Sequence, residues 1–330
     1  MSVLVTGGAG YIGSHMVWSL LDKGQDVVVL DNLATGFEWA VAGAATFVRG
    51  DVGDGPLVER LIGERGITAI VHFAGSVVVP DSVADPLAYY LNNTANARTL
   101  IEAAVRGGVG HFIFSSTAAV YGMAGEKPVT ETATPAPMSP YGRSKWMTEM
   151  ILADTAAARP LRYVALRYFN VAGADPGGRT GQSTKGATHL IKVACETALG
   201  KRPKMEIFGT DYPTKDGTCV RDYIHVTDLV EAHLAALDYL RAGGESLVAN
   251  CGYGRGYSVF EVVEAVRRVA GRDFEIVLSP RRPGDPAAVV AETALIRRTL
   301  NWRPRLDDLD TIVGNALAWE TALSRRNARI

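Results

Sequence analysis

Three glycines at three-residue intervals, Gly7, Gly10 and Gly13, lie between the apolar stretch Val3-Leu4-Val5-Thr6 and a helical pattern reaching about residue 22. The run Thr6-Gly7-Gly8-Ala9-Gly10-Tyr11-Ile12-Gly13 therefore reads as a tight turn joining a strand to a helix. The first glycine allows the turn, the second lets backbone approach a pyrophosphate, and the third permits close helix–strand packing. The helix N-terminus adds free N–H groups and partial positive charge. A dinucleotide site follows, with Gly7, Gly10, Tyr11, Ile12 and Gly13 at its phosphates. Asp31 closes the next apolar run, roughly 20 residues on, where a carboxylate accepts ribose hydroxyls and repels a 2′-phosphate. Asn32-Leu33-Ala34-Thr35-Gly36 offers that phosphate no arginine, so NAD is favoured over NADP. Asp51 and Val52, after the third run, are placed to reach the adenine, although an Asp there also suits a plain turn.

Short apolar runs recur at residues 26–30, 46–48, 69–73, 111–115 and 163–167, with helical segments near 55–65, 86–106 and 141–158. Nearly continuous apolar strands are those covered on both faces. Their alternation with helices predicts an α/β, doubly wound, Rossmann-like parallel sheet that binds ligands at the carboxyl ends of its strands. The pattern weakens after Asn170. Strands are expected at 220–225, 247–251 and 274–278, and helices near 185–199, 227–242, 258–270 and 307–325. We expect an NAD-binding domain over 1–170 and a smaller α/β substrate lobe over 171–330, with a segment near 227–251 returning to the first domain.

Composition narrows the partners. Lys and Arg total 34 against 35 Asp and Glu, a net charge of −1, which argues against nucleic acid and anionic membranes as partners. No apolar stretch is long enough to span a bilayer and no signal-like segment opens the chain. The cysteines Cys195, Cys219 and Cys251 show no CxxC spacing, which fits a reducing, cytoplasmic setting without a disulfide framework. The histidines show no metal-ligand spacing, so no metal is expected.

Tyr141 and Lys145 stand one helical turn apart at the start of the 141–158 segment, hence on one face. Taken alone the pair is an ordinary surface motif. Its setting differs, because Ser115-Ser116-Thr117 ends the fifth strand, at the crevice where a nicotinamide would lie. A phenol near its usual pKa of about 10 is a poor base at pH 7, and a nearby ammonium together with a positive ring would lower it.

These features, with His72-Phe73-Ala74-Gly75 and Asn92-Asn93, resemble the extended short-chain dehydrogenase/reductase family. Within it, Ser139-Pro140-Tyr141-Gly142, Leu166-Arg167-Tyr168-Phe169-Asn170, the run from Phe208 to Thr214 and the run from Val220 to Val226 resemble the UDP-glucose 4-epimerase group. The similarity extends over about residues 2 to 320. It implies NAD held also by Phe73, Ala74, Gly75, Asn92 and Phe169, as well as by Tyr141 and Lys145. The implied reaction is reversible inversion at sugar C4 through a 4-keto sugar, with catalysis by Tyr141, Lys145 and Thr117. The implied UDP-sugar contacts are Thr117, Tyr141, Asn170, Leu190, Phe208, Arg221, Arg282, Asp285 and Val289. A homodimer built from the helices near 86–106 and 141–158 is implied as well.

Three positions depart from the group's pattern. Val77 stands where many relatives have Lys, His189 where Asn is common, and Val289 where some carry Tyr. Alternatives remain at this stage: a 4-epimerase for UDP-N-acetylglucosamine or a UDP-pentose, a sugar-nucleotide dehydratase, or a non-catalytic NAD-binding protein. The dehydratase reading suffers because Ala118-Ala119, after Thr117, offers no acid or base.

Overall fold

The structure, a computed structural model, describes residues 2–123, 125, 127–282 and 284–327. Six strands form early in the chain: β1 (Ser2–Thr6), β2 (Asp26–Asp31), β3 (Thr46–Arg49), β4 (Ile67–His72), β5 (His111–Thr117) and β6 (Arg162–Tyr168). Later come β7 (Asn170–Ala172), β8 (Met205–Phe208), β9 (Val220–His225), β10 (Leu247–Cys251), β11 (Gly256–Ser258), β12 (Ile276–Ser279) and β13 (Ala288–Val289). The main sheet has seven parallel strands in the order β10-β6-β5-β4-β1-β2-β3. The order reverses at β1, so a crevice opens at the carboxyl ends of β1 and β4.

Alternation along each strand divides the core between the two faces. Val3 and Val5 face α1 (Tyr11–Asp22) and α8 (Val226–Arg241) through Met16, Val17 and Leu229. Leu4 and Val28 face the opposite layer of α2 (Gly55–Arg65), α5 (Asn96–Arg106) and α6 (Pro140–Ala158) through Val58, Leu100 and Leu152. Helix starts are written locally. Ser139 caps α6 by accepting the Gly142 N–H at 3.2 Å, and Pro140 occupies the first turn, where a missing N–H costs nothing. That cap fixes where Tyr141 falls.

The C-terminal elements build a smaller layer. β9 pairs with β7 and β13 in parallel and with β11 antiparallel, while β8 and β12 form a separate two-stranded sheet. Helices α7 (Leu190–Ala198), α9 (Val259–Ala270) and α11 (Leu309–Asn327) pack beside them, and Ile191, Ile224, Val262 and Ile312 continue the apolar cluster begun by Val3.

Two expected helices differ in form. The segment over 86–106 is divided into α4 (Pro86–Tyr90), a π-helical turn (Leu91–Ala95) and α5. The widened turn carries Asn93, whose side chain is held by Ser76 and Ser144. The helix expected over 185–199 begins only at Leu190, because Gly186 adopts a left-handed conformation (φ +66°) and the preceding residues cross the mouth of the crevice. Two short helices, α3 (Val79–Ala84) and α10 (Ala294–Thr299), lie where no helix was expected.

Candidate active site

A cavity of about 730 Å³ occupies the crevice, bounded by the sheet on one side and by residues of the C-terminal layer on the other. At its floor the glycine turn leaves no room for side chains. A Cβ on Gly7 would come within 2.6 Å of the Ala74 nitrogen, and one on Gly13 within 2.1 Å of the Gly7 carbonyl. Gly10 has no side chain to cap α1, so the first-turn N–H groups stay open where Gly10, Tyr11, Ile12 and Gly13 line the cavity.

Asp31 lines the same end. One carboxylate oxygen accepts the Ala9 N–H at 2.9 Å and the other the Leu33 N–H at 2.8 Å, which aims the group while leaving lone pairs for hydroxyls. Asn32 donates to Asp51 at 2.9 Å, and these two with Val52 form the adjoining wall. Phe73, Ala74, Gly75, Asn92 and Phe169 also line the cavity. Cradle, aimed carboxylate and absence of an arginine over 32–36 together fit NAD.

The reactive centre lies midway along the cavity. Thr117 ends β5 and Tyr141 lies in the first turn of α6; both are buried at the cavity wall, with the Thr117 hydroxyl beside the Tyr141 phenol. Lys145 lies behind them, 2% exposed, with its Nζ donating to the Ser115 carbonyl at 3.2 Å and standing 5.1 Å from the Phe114 ring centroid. Burial pushes the Lys145 ammonium down to about 8. The same burial pushes the Tyr141 phenol well above its usual value, and the neighbouring Thr117 hydroxyl offsets only part of that. In the protein alone, desolvation outweighs every other influence on the phenol; the lowering expected from Lys145 and a nicotinamide ring together concerns the NAD-bound site. Of the three hydroxyls ending β5, only Thr117 lines the cavity. Ser116 points to the other face of the sheet and bonds Glu149, while Ser115 bonds the Tyr168 phenol at 2.9 Å.

At the far end, Asn170, Arg221, Asp285 and Val289 line the cavity. Arg221 reaches Asp285 at 3.5 Å. Three expected UDP-sugar contacts lie outside this lining, as does Lys145. Leu190 borders a small adjoining pocket, and the Arg282 guanidinium stacks on the Phe208 ring at 3.8 Å from its centroid. Val77 is half-exposed at the rim. His189 accepts or donates one bond to Gln182 at 2.8 Å, and burial lowers its pKa, so the ring is neutral at pH 7.

Several lining residues were not singled out from the sequence. Tyr168 stands beside Tyr141 on the cavity wall, and Gln182 with residues 184–188 forms its roof. Tyr168 carried a usable signal, since strand alternation puts Tyr168 of β6 in register with Thr117 of β5. The roof carried none, being a loop without a motif. Among the described residues no group of three or more His, Cys, Asp or Glu is arranged to hold a metal ion. No helix among them is long and apolar enough to cross a membrane.

Residues 3–252 match the model of the NAD dependent epimerase/dehydratase family. The chain is 55% identical over 323 residues to a UDP-glucose 4-epimerase of Azospirillum brasilense, covering 98% of this chain and 93% of that protein. Its fold superposes with a TM-score of 0.93 on a UDP-glucose 4-epimerase from Brucella ovis in complex with NAD, at 43% identity, covering 96% and 97% of the two chains. A UDP-Glc/GlcNAc 4-epimerase from Campylobacter jejuni is 49% identical, with a TM-score of 0.85 over 97% and 99% of the chains.

Proposed function

Because the chain belongs to the NAD-dependent epimerase/dehydratase family, we propose that it interconverts UDP-glucose and UDP-galactose by inverting sugar C4. The observation that carries this reading is spatial. One continuous cavity runs from the glycine cradle and Asp31, past Thr117 and Tyr141, to Arg221 and Asp285. NAD, held by the glycine cradle and Asp31, would supply reversible hydride acceptance at sugar C4.

The chain's own groups handle the proton and the geometry. Tyr141 removes the proton from the sugar 4-hydroxyl and gives it back on the return. Thr117, beside that phenol on the cavity wall, holds the reacting oxygen in line. Lys145, buried behind Tyr141 with its Nζ held by the Ser115 carbonyl, is assigned to the cofactor's ribose hydroxyls. The diphosphate is anchored by the Arg221 fork and by Asn170, with Asp285 oriented by Arg221 to take the uridine ribose. Anchoring the nucleotide far from C4 leaves the sugar free to turn over between the two transfers. Arg282 and Phe208, already stacked together, would have to separate or present their outer edges to reach the nucleotide.

A homodimer belongs to the same proposal. Val83, Leu87 and Leu91 are more than half exposed, and Met147 and Met150 on α6 are also uncovered. This apolar strip along α3, α4 and α6 suits a second copy of the chain. A cytoplasmic setting is supported by three free, buried cysteines. The test is conversion of UDP-galactose by purified protein, with absorbance and fluorescence checked for retained NAD(H). Absence of turnover in protein that retains the cofactor would refute the epimerase reading.

A further inference from the structure

Behind the reactive centre runs a line of buried polar side chains that do not line the cavity. Glu149 follows Tyr141 and Lys145 on the same face of α6, and it is 4% exposed. It accepts the Ser116 hydroxyl of β5 and a bidentate pair of bonds from Arg167 of β6, the shortest at 2.6 Å. Three groups thereby fix the helix bearing Tyr141 against the two strands that frame Thr117.

The line continues outward. Arg167 Nη1 donates to the Tyr121 phenol at 3.1 Å, and that phenol donates to Asn250 Oδ1 of β10 at 2.6 Å. Asn250 Nδ2 donates to the Val129 carbonyl at 2.7 Å. Val129 in turn brackets the strand end beyond Val289: its N–H donates to the Val290 carbonyl at 2.8 Å and its carbonyl also accepts the Glu292 N–H at 2.9 Å. Asn250, Arg167 and Tyr121 are all buried. Buried polar groups left unpaired are costly, so such a chain has one satisfied arrangement rather than a continuum.

From this continuity we propose that Glu149, Arg167, Tyr121 and Asn250 act as positioning residues that hold the Val289 wall of the cavity in fixed register with Tyr141 and Thr117. The inference rests on the 4-epimerase reading, since it assigns the reacting end of the sugar to the space between those two walls. Tyr121 is the link that joins the catalytic helix side (Glu149, Arg167) to the pocket-wall side (Asn250, Val129). Misplacement of a reacting group by about 1 Å can cost on the order of 10²-fold in rate. The glycine cradle stands outside the line, and Arg221 keeps its β11 partner Tyr257 as well as Val289, so cofactor retention and nucleotide affinity should survive its interruption.

The experiment compares holoenzyme carrying Tyr121→Phe with the wild type and with Trp302→Phe. The latter removes another buried donor, which bonds the Asp228 carbonyl at 3.0 Å far from the cavity. Both variants are expected to lower Tm. Only Tyr121→Phe is expected to lower kcat for UDP-galactose, by about tenfold or more, with KM within about threefold and NAD(H) content unchanged. Asn250→Ala, cutting the next link, is expected to give the same split between kcat and KM. Wild-type kcat in both Tyr121→Phe and Asn250→Ala, or a loss of kcat matched by Trp302→Phe at equal Tm loss, would overturn the positioning role. A wild type that binds NAD but does not turn over UDP-galactose would instead overturn the 4-epimerase reading and this inference with it.

Discussion

The hydroxyl of Thr117, the last residue of β5, stands beside the phenol of Tyr141, the second residue of α6, and holds its pKa down against the effect of burial. The pair joins a strand end to a helix start across 23 intervening positions, and it places a phenol beside a hydroxyl on the cavity wall. Burial makes that phenol a weaker acid than usual in the protein alone. Activation of Tyr141 is therefore tied to occupancy of the site, which keeps the base quiet until cofactor and sugar are both in place.

Lys145 makes this electrostatic setting measurable. Its folded-state pKa, about 8, lies below its ordinary 10.5 because burial disfavours the ammonium. Below pH 8 both folded and unfolded chains hold the proton, and the cost of burial is constant. Between about pH 8 and 10.5 the folded chain has released a proton that the unfolded chain still binds, so stability contributed by this group rises with pH. Tyr141 acts in the opposite sense, its raised pKa making stability fall above about pH 10. In protein stripped of cofactor, Lys145→Met should raise Tm at pH 7, and the gap from wild type should narrow as pH climbs from 8 toward 10. A gap that is constant across that range would show that Lys145 is not titrating there.

Val289 sets a limit on the sugar. It lines the cavity, paired in β13 with Arg221 of β9, and it is smaller than an aromatic ring. Room beside the hexose C2 substituent should admit an N-acetyl group, so UDP-GlcNAc and UDP-GalNAc are expected to interconvert. Replacement by Val289→Tyr should lower kcat/KM for the N-acetylated pair by more than about tenfold and leave UDP-galactose largely unaffected. Assays of both pairs in both proteins decide the matter; equal use of UDP-GlcNAc by Val289→Tyr would remove the gate.

Much of the cofactor end was legible because its determinants are local. Gly7, Gly10 and Gly13 answer one turn, and Asp31 ends the strand that follows. Tyr141 and Lys145 were legible for the same reason, being one turn apart behind a Ser-Pro helix start. The substrate end depends on pairings that no periodicity announces: Arg221 with Asp285, Arg282 with Phe208, and His189 with Gln182. Ser116 shows a different limit. Strand alternation was enough to turn it away from Thr117, yet its partner Glu149 became visible only once α6 lay against β5. The π-helical turn at Leu91–Ala95 breaks a run whose sequence pattern is continuous, and its cause is tertiary, the anchoring of Asn93 by Ser76 and Ser144.

The exposed strip on α3, α4 and α6 predicts the association state. Leu87 is 77% exposed and Leu91 61%. Charges placed there should cost little within one chain and much between two, so Leu87→Glu with Leu91→Glu should convert a dimer to a monomer with little change in Tm. Sedimentation of both proteins reports this directly. A wild type that sediments as a monomer at micromolar concentration would exclude that face as a self-association surface.

The most direct measurement is conversion of UDP-galactose by wild type and by Tyr141→Phe, each with its bound NAD(H) quantified. Tyr141→Phe keeps the ring that packs at the cavity wall and removes only the hydroxyl that moves the proton. The expected result is turnover by the wild type, loss of about 10²–10⁴-fold or more in kcat for Tyr141→Phe, and equal cofactor content in the two. Near wild-type kcat in Tyr141→Phe would show that another group takes the proton and that the site does not work as described.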